Sequence, residues 1–91
     1  MALGIYITAS GFTPEKYDST TEQLAQAGQG APDGRRYHVA LETDGDIQVF
    51  DIWESQAAFD AFGETLLPIL SDAGIELNPP MIATVHNVIE G

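Results

Sequence analysis

Val49–Leu70, VFDIWESQAAFDAFGETLLPIL, decides how this chain folds. Its first part alternates: Val49, Asp51 and Trp53 share one side of an extended segment, and Phe50 and Ile52 share the other. Ser55 then stands where a helix would start, with its hydroxyl available to cap the free amides. Phe59, Phe62, Leu66, Ile69, Leu70 and Ala73 recur on one helical stripe. Each large side chain buried there stabilises by roughly 1.5–3 kcal/mol, so this helix is expected to anchor the core. Pro68 removes the bond to the carbonyl of Glu64, which predicts a kink or a break into a short second segment. Gly74 ends the helical run.

Working outward, Asp44-Gly45 is a strong hairpin signal, because a type I′ turn needs positive φ at both central positions. It joins a strand over about Arg35–Thr43 to one over Asp46–Glu54. Upstream, Leu3–Ala9 alternates as a first strand. Thr13-Pro14 opens a first helix, threonine as the cap and proline at the first helical position. Its apolar stripe, Tyr17, Thr20, Leu24 and Ala27, is thin, and Gly28 suits the terminating left-handed position. QGAPDG, residues 29–34, is a surface loop by composition. Downstream, 75–80 is an extended connection pinned by Pro79-Pro80, and Met81–Ile89 is a fourth strand. The order βαββαβ predicts one α+β domain over residues 1–91, a ferredoxin-like four-stranded antiparallel sheet with two helices on one face.

Counting outward from the turn fixes the hairpin register. Leu41 meets Gln48, Val39 meets Phe50, and Tyr37 meets Ile52. On the other side Ala40 meets Val49, His38 meets Asp51, and Arg36 meets Trp53. One face therefore carries Tyr37, Val39, Leu41, Phe50 and Ile52. The other carries Ala40, Ile47 and Val49 and ends in the polar group Arg36, His38, Asp51 and Trp53. Both faces are too apolar for a sheet with one side in water, and two helices cover only one. The economical cover for the other is the same face of a second copy, which predicts a homodimer packed sheet to sheet.

Composition narrows the partners. The chain has 91 residues, few for a sizeable core, and a second copy would add burial. Its net charge is −11, with Lys16, Arg35 and Arg36 the only basic residues. Such a surface repels nucleic acid and anionic membranes, and it favours solubility and a neutral ligand over a polyanionic one. No apolar run approaches a membrane span, and the N-terminal stretch lacks the basic residue of a signal peptide. There is no cysteine, which excludes thiol chemistry and thiolate metal sites and points to the cytoplasm.

Asp51-Ile52-Trp53-Glu54-Ser55-Gln56-Ala57-Ala58-Phe59, a strand, Trp-Glu-Ser and a helix opening with Ala-Phe, resembles the dimeric α+β barrel superfamily. Within it the chain is similar to the antibiotic-biosynthesis-monooxygenase-like (ABM-like) domains. The motif covers about a quarter of the chain, and the element order extends the likeness over nearly all of it. The resemblance implies dimerisation through the sheets and a Trp53 at the mouth of a pocket between sheet and helices. It spans cofactor-free oxygenases, haem-degrading enzymes and isomerases, so it points to fold more sharply than to function. The haem-degrading branch carries an asparagine on the first strand and a histidine on the second helix. Here that strand has Ile5, Tyr6, Ile7 and Thr8, and the helix has no histidine.

His38 and Asp51, opposite each other across the hairpin, form the best candidate catalytic pair. A carboxylate beside an imidazole orients it, which suits a general base or proton shuttle. Trp53 and Arg36 beside them would stack on a planar substrate and hold an oxyanion. The bland alternative is a cross-strand polar pair that fixes register, with Trp53 as a core aromatic. Phe59 and Phe62 would wall the pocket, although at helical spacing they are first of all core. His86 reads as an interface histidine, facing Tyr6 in a dimer cavity. Neither histidine has metal-ligand spacing, no residue demands a cofactor, and Gly28, Gly30 and Gly34 form no phosphate-binding fingerprint.

Two functions compete. One is an ABM-like, cofactor-independent monooxygenase or related enzyme on a small aromatic or polyketide-like substrate. The other is a non-catalytic homodimeric module that binds a small apolar ligand or only scaffolds. A solvent-reachable pocket with His38 and Trp53 in its wall favours the enzyme, and a closed core favours the module. A fully packed Trp53 removes the site as drawn.

Overall fold

The computed structural model describes residues 2–91. Its elements are β1 (Leu3–Ile7), α1 (Pro14–Gln26), β2 (Arg35–Thr43), β3 (Asp46–Trp53), α2 (Gln56–Asp72) and β4 (Met81–Thr84). The strands form one antiparallel sheet in the order β2-β3-β1-β4. Both helices pack on one face of it, where Ile5, Ile7, Val49 and Trp53 meet Leu24, Phe62 and Leu70 in a single core. This is the ferredoxin-like α+β arrangement.

The local signals act as their chemistry requires. Thr13 accepts from the Lys16 amide and Ser55 from the Ala58 amide, so each helix starts on a side-chain cap. Asp44 and Gly45 both have positive φ, 53° and 85°, as a type I′ turn needs. From that turn the register runs as counted: Thr43 with Asp46, Leu41 with Gln48, Val39 with Phe50, His38 with Asp51 and Tyr37 with Ile52.

The first strand ends at Ile7 and not at Ala9, and three further features differ from expectation. The hairpin register breaks at its far end, where a bulge between Arg35 and Tyr37 pairs Arg35, not Arg36, with Trp53. Two residues of β2 then oppose one of β3, which turns Arg35 inward and Arg36 outward. Helix α2 passes through Pro68 as one element. Pro68 and Glu64 are both exposed, so water can satisfy the carbonyl that proline leaves unbonded. The fourth strand stops at Thr84 instead of Ile89, because Thr84 pairs with Leu3 and the first strand offers no further rung. One bond, from the Val85 amide to the Ala2 carbonyl, ends the ladder. Residues 85–91 then border the open face of the sheet beside Gly4, Tyr37, Phe50 and Ile52.

Candidate functional site

The helix-covered face of the hairpin carries two ionisable groups in register, His38 on β2 and Asp51 on β3. Asp51 is 2% exposed, deep enough that its charge needs partners. It has two. His38 Nδ1 lies 2.6 Å from Oδ1, and Trp53 Nε1 donates to Oδ2 at 3.1 Å. With the carboxylate accepting, His38 carries its proton on Nδ1 and turns a free lone pair on Nε2 to the other side. There the Tyr17 hydroxyl, from the first turn of α1, stands 2.7 Å away. The Tyr17 and His38 rings lie nearly parallel, 8° apart in plane. Tyr17, His38, Asp51 and Trp53 thus form one hydrogen-bonded chain from the interior outward.

Burial pushes the Tyr17 phenol above its ordinary value of 10.0; Arg35 opposes that rise, while Asp51 and Asp18 add to it. The phenol is therefore neutral near pH 7 and donates to His38 Nε2. A proton taken up by Tyr17 oxygen can be matched by one passed to the imidazole, with Asp51 beside the resulting cation. That is the geometry of a general base that acts through a hydroxyl.

The chain ends at a cavity of about 280 Å³ between the sheet and both helices. Ile7, Phe12, Leu24, Val49, Phe62 and Leu66 make its apolar wall. Tyr17, His38 and Arg35 share the polar end with Thr20, Thr21 and Gln29. The His38 side chain keeps 25% exposure, so the cavity reaches solvent at this end.

The predicted residues separate here. His38 and Asp51 meet, and Phe62 lines the cavity. Trp53 is 0% exposed and lies behind Asp51, wedged between Phe59 and Phe62 at ring distances of 5.6 and 5.2 Å. It is not at the mouth of a pocket, and the site as first drawn, with Trp53 stacking on substrate, fails. Phe59 packs on the edge of Trp53 and is likewise absent from the cavity wall. Arg36 is exposed on the outside of the bulge, and Arg35 takes the place expected of it. The Arg35 guanidinium sits 6.0 Å from the centre of the Phe62 ring and donates to the Gly30 carbonyl at 3.1 Å. Gly34, with φ of +88°, lets the chain enter β2 close to α2, since a β-carbon there would lie 2.6 Å from Ala58 Cβ. His86 borders the open face, on the opposite side of the sheet from His38.

Tyr17 and Arg35 were missed. Tyr17 has the spacing of a core residue, and only its hydroxyl on an otherwise small-residue stripe marks it. The Arg35-Arg36 doublet before a strand marks the second, but it does not say which arginine turns in.

No protein-family model matches the chain, and no curated relative does. Solved structures do. SnoaB, a cofactor-independent oxygenase from Streptomyces nogalater, superposes with a TM-score of 0.64 at 15% identity, over 99% of this chain and 96% of its own. A Chloroflexus aurantiacus protein proposed to be an antibiotic biosynthesis monooxygenase gives 0.65 at 15%, over 99% and 98%. The de novo designed protein Foldit4 gives 0.60 at 12%, over 94% and 100%. Among the described residues no helix is long and apolar enough to cross a membrane. At these identities the likeness is one of fold alone: this chain shares the ferredoxin-like α+β architecture of those proteins.

Proposed function

We propose that this protein is an ABM-like acid–base catalyst, a cofactor-independent monooxygenase or a close relative, acting on a small aromatic molecule held between sheet and helices. The observation that carries this reading is the Tyr17–His38–Asp51 chain ending at an apolar cavity. Buried carboxylate, fixed imidazole tautomer and neutral phenol are the parts needed to remove a proton from a bound substrate. Loss of that proton makes the substrate electron-rich enough to reduce oxygen itself. In such a reaction a methylene becomes a carbonyl, one atom of O₂ stays on the carbon, and the other leaves as water. Binding in a dry cavity would protect the anion on the way.

The working unit is a homodimer in the cytoplasm. Support for the dimer is the open sheet face, where Tyr37 and Leu41 are each 52% exposed and Met81 63%. Support for the compartment is the cysteine-free sequence. Oxygen consumption with a panel of small hydroxylated aromatics tests the chemistry. His38→Ala is expected to lower turnover by about 10²–10⁴-fold on any substrate found. An unchanged rate would remove the base and leave the second reading, a binding module without catalysis, which the fully packed Trp53 favours.

A further inference from the structure

The cavity has one cationic side chain in its wall that belongs to no hydrogen-bonded chain. Arg35 is turned inward by the β2 bulge, its one side-chain hydrogen bond among the described residues goes to the Gly30 carbonyl, and its guanidinium lies near the Phe62 ring. It shares the polar end with the Tyr17 hydroxyl and His38. The other titratable groups there are Tyr17, His38 and Asp51, and Asp51 is shielded behind the imidazole. A guanidinium beside a proton acceptor, over an otherwise apolar wall, is the arrangement that binds an oxyanion formed in place.

Size and charge narrow what forms it. An apolar cavity of about 150 Å³ holds one benzene. About 280 Å³ therefore encloses one substituted ring and not three fused ones. A molecule of net charge −11 repels a ligand that arrives already as an anion. The ligand must enter neutral and lose its proton inside.

We infer that the cavity selects a single-ring phenol and holds it as the phenolate, with Arg35 as the residue that sets this specificity. The inference rests on the cavity being the ligand site of the proposed function. The phenol O–H bond breaks, its proton passes to the Tyr17 oxygen, and the Tyr17 proton passes to His38 Nε2. The electron pair stays on the ligand oxygen, facing Arg35. The step is a proton transfer and consumes no oxidant.

4-Nitrophenol is the probe, because its ionisation is visible by absorbance, and nitrobenzene is its partner without a hydroxyl. Trp53, the only tryptophan, sits against Phe62 of the cavity wall and reports occupancy by its fluorescence. At a pH below the free phenol's own pKa, binding should raise the phenolate band. Arg35→Gln should abolish the band and weaken nitrophenol binding about tenfold or more, and leave nitrobenzene binding unchanged. Arg36→Gln, one residue away on the outside, should change neither. Nitrophenol bound but neutral, or equal losses in the two arginine variants, overturns the phenolate inference while the cavity remains the ligand site. Quenching by neither compound overturns both the inference and the function it rests on.

Discussion

The two faces of one hairpin have opposite characters. On the helix side of β3, Val49, Asp51 and Trp53 are all buried, and the polar ones are fully partnered. No buried side-chain nitrogen or oxygen among the described residues lacks a hydrogen bond. On the open side, Phe50 and Ile52 are only half-buried, and their β2 neighbours Tyr37 and Leu41 stand half out in water. The hydrogen-bonded pair His38–Asp51 is thus on the covered side, and Tyr37 and Leu41 are on the open one. The difference teaches that burial here follows completion and not polarity. A face whose hydrogen bonds close within one chain can hold an aspartate, whereas an apolar face with no cover asks for a second molecule.

The contrast can be broken at its strongest point first. Trp53→Ala removes the most buried large side chain and one of the two donors to Asp51. A loss of about 3–5 kcal/mol in urea unfolding is expected. A loss near zero would mean that the helix side is not the structural centre. On the other face, Phe50→Asp should leave the far-ultraviolet spectrum intact and reduce the mass in light scattering from two chains to one, because it puts an uncompensated charge into an apolar contact. A wild-type protein already monomeric at micromolar concentration would show that the open face stands alone.

Tyr17→Phe has the smallest expected effect, about 0.5–1.5 kcal/mol for one hydrogen bond. It also sharpens the comparison by pH. The folded value of Tyr17 lies above the unfolded one, so its contribution to stability is whole below pH about 10. It is lost as the pH rises through the folded value. Of the three tyrosines, one should ionise as a separate late step above that pH in the wild type, and that step alone should be missing in Tyr17→Phe. The same transition in both proteins would detach Tyr17 from the buried chain.

Much of this contrast is written in the sequence, and its gaps have physical causes. Asp44-Gly45 fixes the hairpin register because that turn admits few backbone geometries, so counting alone brings His38 to Asp51. The count fails at Arg35-Arg36, since a bulge is a backbone event that side-chain alternation does not record. Tyr17 reads as core in the sequence because helical spacing places a residue on a face and says nothing of the hydroxyl's partner, here 21 positions away. Resemblance places Trp53 at the mouth, whereas the short reach from its indole nitrogen to Asp51, two residues back on the same face, holds it inside. Val85, Val88 and Ile89 look like strand, but a strand also needs a neighbour to pair with, and the ladder has run out.

The bulge has a further consequence for how the chain tolerates change in length. Arg35 and Arg36 together occupy the place of one residue opposite Trp53. Deleting either would restore plain alternation before Tyr37, and the arginine that remains would face inward. The connection between α1 and the hairpin can therefore lose one residue there while keeping a guanidinium in the cavity. The doublet works as a slack link, which absorbs an insertion or deletion before it reaches the paired residues His38 and Asp51.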